Sequence, residues 1–199
     1  MSVDFIEFVN RYVSLNPLEE VIIKQKSKEV EFKKGEVIHK VDEICDKLYF
    51  ILDGYARGFV IDENGKDYTW ALLFNDQNSK VENLFLMDFE SFLKEIPSRI
   101  EIEALSDCKV LMFSKKDVQM LFDISKKIDR FARFMTEDAY LYLHNLIMDR
   151  QTKSAKERVE EFLKTKRHLL DIVPQYQIAS LLDITPQHLS RLKKELDIS

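Results

Sequence analysis

From Ser125 to about Arg150 the chain contains neither glycine nor proline. Its apolar residues Ile128, Ala132, Met135, Ala139, Tyr142 and Leu146 recur at steps of 4, 3, 4, 3 and 4. That spacing predicts one long helix with a seam of period about 3.5, as in a two-stranded coiled coil. Phe131, Phe134 and Leu141 widen the apolar face beyond what one small barrel covers. The seam residues are therefore assigned to dimerisation, with another side of the helix lying on the rest of the chain. The alternative is that all of this surface packs within one chain.

The preceding sequence has a different grammar. After helical spacing at Phe5, Ile6, Val9, Tyr12 and Val13, closed by Pro17, and a second short helix over Leu18–Lys24, the chain turns to short β-branched and aromatic runs. The runs are Glu29–Phe32, Val37–His39, Leu48–Leu52, Tyr55–Ile61, Lys66–Phe74, Arg99–Ala104 and Lys109–Ser114. Asn64-Gly65 is a strong hairpin signal, because both central positions tolerate positive φ. Such strands predict an antiparallel sandwich or small barrel. Residues 75–98 break the pattern, and only Asp88–Glu95 reads as a short helix there. Lys115–Phe122 reads as another.

Composition narrows the function classes. With 199 residues the chain can bury a real core. No apolar run approaches the ~20 residues of a spanning helix, and no signal-peptide pattern opens the chain. Two cysteines, Cys45 and Cys108, supply neither a disulfide framework nor the four thiolates of an iron–sulfur site, so the expected setting is cytoplasmic and reducing. His39 is the only histidine in the β-rich part, too few for a cupin-type metal enzyme and weak support for a haem sensor. No P-loop, catalytic triad or carboxylate pair can be picked out, so no enzymatic activity is expected. The net charge of −5 is uneven. Residues 150–199 carry ten Lys/Arg against seven Asp/Glu, a net of +3, and the body carries −8, so an anionic partner is expected at the C-terminal part.

Ser154 and Glu157 form a capping-box pattern that opens a helix to about Lys166, with Val159, Phe162 and Leu163 inward. Residues 174–196 then read PQYQIASLLDITPQHLSRLKKEL. Pro174 suits a first helical turn, Ala179 permits a close helix crossing, and Asp183 stands at a turn that favours a left-handed backbone. Thr185 is a strong N-cap and Pro186 suits the first helical position. Leu189, Leu192 and Leu196 face inward. This is a helix–turn–helix whose second helix, 185–196, would enter the DNA major groove. The candidate DNA contacts are Gln175, Thr185, Pro186, Gln187, His188, Ser190, Arg191, Lys193 and Lys194. Arg191 suits guanine O6 and N7, and Gln187 suits adenine. Thr185 and the helix amide ends suit phosphate oxygens, while Lys193 and Lys194 add counterion release. The bland reading is a two-helix corner with a solvated polar face.

FKKGEVIHK-VDEICDKLYFILDGYARGF (residues 32–59), SAKERVEEFL and IASLLDITPQHLSRLKKEL together resemble the catabolite activator/FNR (Crp/Fnr) superfamily of bacterial transcription regulators over essentially the whole chain. The last two stretches look most like the branch found in Bacteroidetes-type bacteria. The resemblance implies an α+β architecture: an N-terminal antiparallel β-roll of the cyclic-nucleotide-binding-domain type (a jelly roll) over 1–124, a long dimerisation helix over 125–150, and a C-terminal helix–turn–helix domain over 151–199. It further implies a homodimer reading near-palindromic double-stranded DNA, an N-terminal sensor for a small effector, and RNA polymerase as a further partner.

The chain departs from the family's cyclic-nucleotide pattern. No glycine occurs in 75–99, so the Gly-Glu that opens the phosphate-binding helix is absent. Aligned through Cys108, the family's phosphate-binding arginine falls on Ser98, and Arg99 lies one residue late, which on a strand is the opposite face. Cyclic AMP is therefore not expected as a cofactor, and Arg99 is kept as a weak effector-site candidate. A β-wing after the recognition helix is also not expected, since the sequence ends at Ser199. The competing reading is a small-molecule, nucleotide or protein-interaction module with a vestigial DNA-binding domain.

Overall fold

The computed structural model describes residues 4–76, 79 and 81–196. The Ser199 end, on which the missing wing was argued, lies outside them. Helix α1 (Phe5–Asn10) is capped by Asp4, whose Oδ1 accepts the Ile6 and Glu7 amides. Helix α2 (Pro17–Lys26) opens with Pro17 and an Asn16/Glu19 capping box. Two four-stranded antiparallel sheets follow. The first is built from β1 (Lys28–Phe32), β3 (Lys47–Asp53), β6 (Phe85–Leu86) and β8 (Cys108–Ser114), in the order β1-β8-β3-β6. The second comprises β2 (Val37–His39), β4 (Tyr55–Ile61), β5 (Asp67–Phe74) and β7 (Glu101–Ala104), in the order β2-β7-β4-β5. Apolar residues of both sheets are buried in one core, Phe50, Leu86 and Val110 from the first and Ala56 and Ile102 from the second.

The β4–β5 pairing slips between Gly58 and Phe59, leaving Trp70 as the extra residue. The bulge lays the Trp70 indole over Gly58, where a Cβ would collide with its Nε1. The expected hairpin forms, with Gly65 at φ 77° and Asp62 Oδ1 accepting the Asn64 and Lys66 amides.

Residues 75–98 hold more regular structure than their mixed spacing predicts. Helix α3 (Val81–Leu84) and strand β6 precede α4 (Phe89–Lys94), and only α4 was legible. A four-residue helix and a two-residue strand are shorter than any periodicity window. Helix α5 (Lys115–Ile124) leads through Ser125 into α6 (Lys126–Thr152), a single helix of 27 residues. The α1 rings wedge between the β-roll and α6: Phe5 lies 5.1 Å from both Phe50 and Phe113 and 6.5 Å from Phe131.

Helix α6 ends at Lys153, which is extended (φ −95°, ψ 140°), and Ser154 caps α7 (Ala155–Lys166) through the expected box. A 3₁₀ turn (Arg167–Asp171), α8 (Gln175–Leu181) and α9 (Pro186–Glu195) complete the chain. Pro174 is the N-cap of α8, one position before the helical turn expected for it. A second core gathers Val159, Phe162, Leu169, Ile178 and Leu189, and it includes Leu72 and Phe74 from β5. The C-terminal helices thus share apolar packing with the β-roll. Among the described residues no helix is long and apolar enough to cross a membrane.

Candidate nucleic-acid interface

Helices α8 and α9 cross with Ala179 fully buried between them, as its small side chain permits. The link is tight. Asp183 takes the left-handed conformation (φ 55°), its amide donates to the Ser180 carbonyl at 3.0 Å, and the Ile184 amide donates to the Ala179 carbonyl at 3.0 Å. Thr185 caps α9, its Oγ1 accepting the His188 amide at 3.1 Å, and Pro186 occupies the first turn. Leu189 and Leu192 are buried, which fixes the rotation of α9 about its axis.

Thr185, Pro186, Gln187, Arg191 and Lys194 are therefore exposed on one surface, and Gln175 is exposed at the start of α8. His188, Ser190 and Lys193 flank that surface half-buried. Among the described residues, the Arg191 guanidinium is held only by a loose 3.8 Å pairing with Glu195 on the next turn. Exposed i,i+4 pairs of this kind are weak, so Arg191 is available to a ligand. At the N-terminus of α9 Pro186 has no N–H and Thr185 takes the His188 amide, so the positive helix end is carried by the macrodipole and the Gln187 amide.

Sequence reading missed what holds this unit in place. The Thr69 amide of β5 donates to Ser180 Oγ at 2.9 Å, and that hydroxyl donates to the Asp67 carbonyl at 3.2 Å. The β5 edge thus continues its hydrogen bonding into α8. Asp67 is itself anchored. Buried Arg57 donates to its carboxylate at 2.8 Å and to Glu103 at 2.6 Å, and stacks 4.0 Å over Phe59. Burial alone would lower the Arg57 pKa, but the hydrogen bonds to the two carboxylates outweigh it and raise it. Beside this stitch, Lys66 and Tyr68 of the hairpin face Asp183, Thr185 and Pro186 across a cleft. Asn64-Gly65 announced the hairpin, but nothing local announces which element its strand touches.

In the β-roll, Ser98 and Arg99 lie in a non-strand segment before β7, which begins at Glu101 rather than at the expected Arg99, so strand alternation does not govern where they point. Ser98 is buried, and its Oγ donates to Asp88 Oδ2 at 2.7 Å. Asp88 Oδ1 accepts the Glu90 and Ser91 amides at the start of α4. The Arg99 side chain is 85% exposed and reaches Glu90 at 3.4 Å. The corner thus holds a carboxylate already bonded at both oxygens, and Arg99 points away from it. His39 is half-buried, and desolvation lowers its pKa. Cys45 and Cys108 are both buried as free thiols, with pKa values raised by desolvation, which suits inert core thiols rather than reactive ones.

The assigned seam lies closer to its own chain than the period implies. Ile128 is buried, and Ala132, Met135, Ala139 and Tyr142 line a groove between α6 and the β-roll with half-buried side chains; Leu146 is also half-buried. Tyr140, Leu141, Leu143, Ile147 and Met148 stand exposed on the later turns.

Residues 29–125 match the family model of the cyclic nucleotide-binding domain. No curated protein matches the sequence. Among solved structures, FixK2 from Bradyrhizobium japonicum is similar at 20% identity, covering 86% of this chain and 84% of that one with a TM-score of 0.71. A transcriptional regulator of the crp/fnr family from Eubacterium rectale gives 19% identity, 92% and 84% coverage and a TM-score of 0.67. A CooA mutant from Carboxydothermus hydrogenoformans gives 16%, 99% and 86%, and 0.67. At these identities the structures speak for the fold, and that fold spans both the β-roll and the C-terminal helices. The chain thus carries a cyclic nucleotide-binding domain over residues 29–125 and shares the overall fold of these structures.

Proposed function

We propose that the protein is a sequence-specific DNA-binding transcription regulator of the cytoplasm, without enzymatic activity. It works as a homodimer on near-palindromic sites, reads bases with α9, and is controlled by a small effector in the β-roll. The observation that carries this reading is the geometry of α9: Leu189 and Leu192 buried, Thr185 capping, and Gln187, Arg191 and Lys194 exposed together. That arrangement presents a base-reading arginine and glutamine near the start of the helix. The exposed apolar residues of the later α6 turns support pairing with a second copy, which would place two α9 helices about 34 Å apart on successive major grooves. RNA polymerase is a further partner on this reading.

Selection from random duplexes tests it. Enrichment of a motif with two-fold symmetry is the expected result. Absence of any enriched motif, with the protein folded, would favour the competing reading of a binding module with a vestigial reader.

Cyclic AMP is not the effector on this reading. Its phosphate would meet Asp88, and Arg99 faces solvent. An unpaired anion in a buried site is strongly disfavoured.

A further inference from the structure

We propose that the β4–β5 hairpin is a second DNA contact, in which the Lys66 ammonium binds a backbone phosphate beside the groove that α9 enters. This rests on the DNA-binding reading above and adds to it a residue of the β-roll.

Lys66 stands immediately before β5, and short bonds fix its place relative to the reading helices. The turn closes on itself: the Asp62 amide donates to the Lys66 carbonyl at 3.0 Å, and Asp62 Oδ1 accepts the Lys66 amide at 2.8 Å. Asp67, the next residue, accepts the Ser180 hydroxyl on its carbonyl at 3.2 Å and Arg57 on its carboxylate at 2.8 Å. Lys66 therefore lies one residue away from a direct bond to α8.

The hairpin and the helix–turn–helix enclose a cleft of about 510 Å³, with Lys66 and Tyr68 on one wall and Tyr176, Thr185 and Pro186 on the other. Tyr176 belongs to the first turn of α8, and Thr185 caps α9, so the cleft borders the starts of both helices. In a helix–turn–helix complex the start of the second helix meets base edges, while the first helix crosses the sugar–phosphate backbone. Backbone that runs past α8 in this way passes Lys66.

The chemistry of the hairpin suits a phosphate. Lys66 is exposed, and its ammonium rests 4.4 Å from the centre of the Tyr68 ring. An ammonium has three donors, and a ring beneath it leaves donors for an incoming oxygen. Tyr68 first, and the carboxylates of Asp62 and Asp183 after it, raise the Lys66 pKa, so the group is charged at neutral pH. The flanking acids are occupied, Asp62 by the Asn64 and Lys66 amides and Asp67 by Arg57. Such a contact fixes register and orientation on the duplex and carries no sequence information.

The test is the salt dependence of binding by full-length Lys66→Gln, measured on the selected duplex and on a random-sequence duplex. On both, the slope of log affinity against log salt should become shallower by about 0.9 for each subunit, with base preference unchanged. Lys66→Arg should restore the parent slope, because a guanidinium also pairs with phosphate. Ethylation interference locates the contact: a phosphate whose ethylation weakens the parent protein should cease to matter for Lys66→Gln. A parental slope in folded Lys66→Gln overturns the proposal. So does a shallower slope that Lys66→Arg fails to restore, because the hairpin then acts only by placing the helices. Selection on the same preparation separates the two readings. An enriched motif with an unaltered slope sinks this inference alone. A shallower slope on random duplex without any enriched motif sinks the sequence-specific reading and leaves the contact standing, and no binding to either duplex sinks both.

Discussion

The Thr69 amide donates to Ser180 Oγ at 2.9 Å, joining the edge of β5 to the first helix of the helix–turn–helix across 111 positions of sequence. The same hydroxyl donates to the Asp67 carbonyl, so one side chain serves two backbone groups of a strand. Ser180→Ala removes both bonds and leaves the Thr69 amide in a part-buried site without its partner. The expected cost is about 1–3 kcal/mol of unfolding free energy. Hydrogen exchange at the Thr69 amide should speed up selectively; unchanged protection there would show that the stitch does not persist in solution.

Asp183 holds φ 55° in the turn before α9. Glycine adopts this conformation freely and a β-branched residue does not. Asp183→Gly should stay within about 1 kcal/mol of the parent protein, while Asp183→Val should lose about 1–3 kcal/mol. Chemical denaturation of the two variants checks the order, and equal stability would mean that the turn relaxes to another conformation.

Arg191 stands exposed on α9, paired loosely with Glu195 at 3.8 Å. Arg191→Ala should weaken binding to a selected site by about 1–3 kcal/mol and relax preference at one base position. An equal loss on every duplex would instead identify a phosphate contact. Competition binding against single-position site variants distinguishes these outcomes.

The Asp88–Ser98 bond predicts that cyclic AMP at millimolar concentration leaves the melting temperature unchanged. A rise of several degrees would show that the corner opens and that Arg99 turns inward.

Glu19 links three segments: its carboxylate accepts the Asn16 amide at 2.8 Å, Ser125 Oγ at 2.7 Å and Lys127 Nζ at 3.1 Å. These interactions, the Asn16 bond first, lower its pKa in the folded protein. The stability they supply is present above the unfolded carboxylate pKa and is lost as pH falls through the lower folded value. Glu19→Gln should therefore destabilise the protein at neutral pH and less so in acid. Melting curves across that range check the sign, and a pH-independent loss would exclude the linkage.

Much of this architecture was legible because its signals are local. Asn64-Gly65 marks a hairpin, Ser154 and Glu157 mark a helix start, and Thr185-Pro186 marks the reading helix, each within a few residues. The face of α9 followed from leucines at steps of 3 and 4, whereas the exposure of Arg99 did not follow from strand alternation, because it precedes β7. The Ser180–Thr69 stitch was not legible, because serine on a helix gives no hint of a strand partner far away in sequence. Nor was the direction of the α6 seam. Period 3.5 identifies an apolar stripe, but the stripe from Ile128 to Tyr142 fits a β-roll as readily as a second helix. Strand β6 and helix α3 escaped because tertiary pairing, Tyr49 with Leu86 for example, sustains segments too short to declare themselves.

Leu72 and Phe74 lie in a strand of the β-roll yet pack into the core of the C-terminal helices. The reading head is thus not a detachable cassette. A chimera that grafts α7–α9 onto another sensor inherits a hole where Phe74 belonged, and truncation after α6 leaves two apolar side chains of β5 facing solvent. Exchange of readers between relatives must carry β5 along, so the seam for modular engineering runs through the β-roll rather than at Lys153.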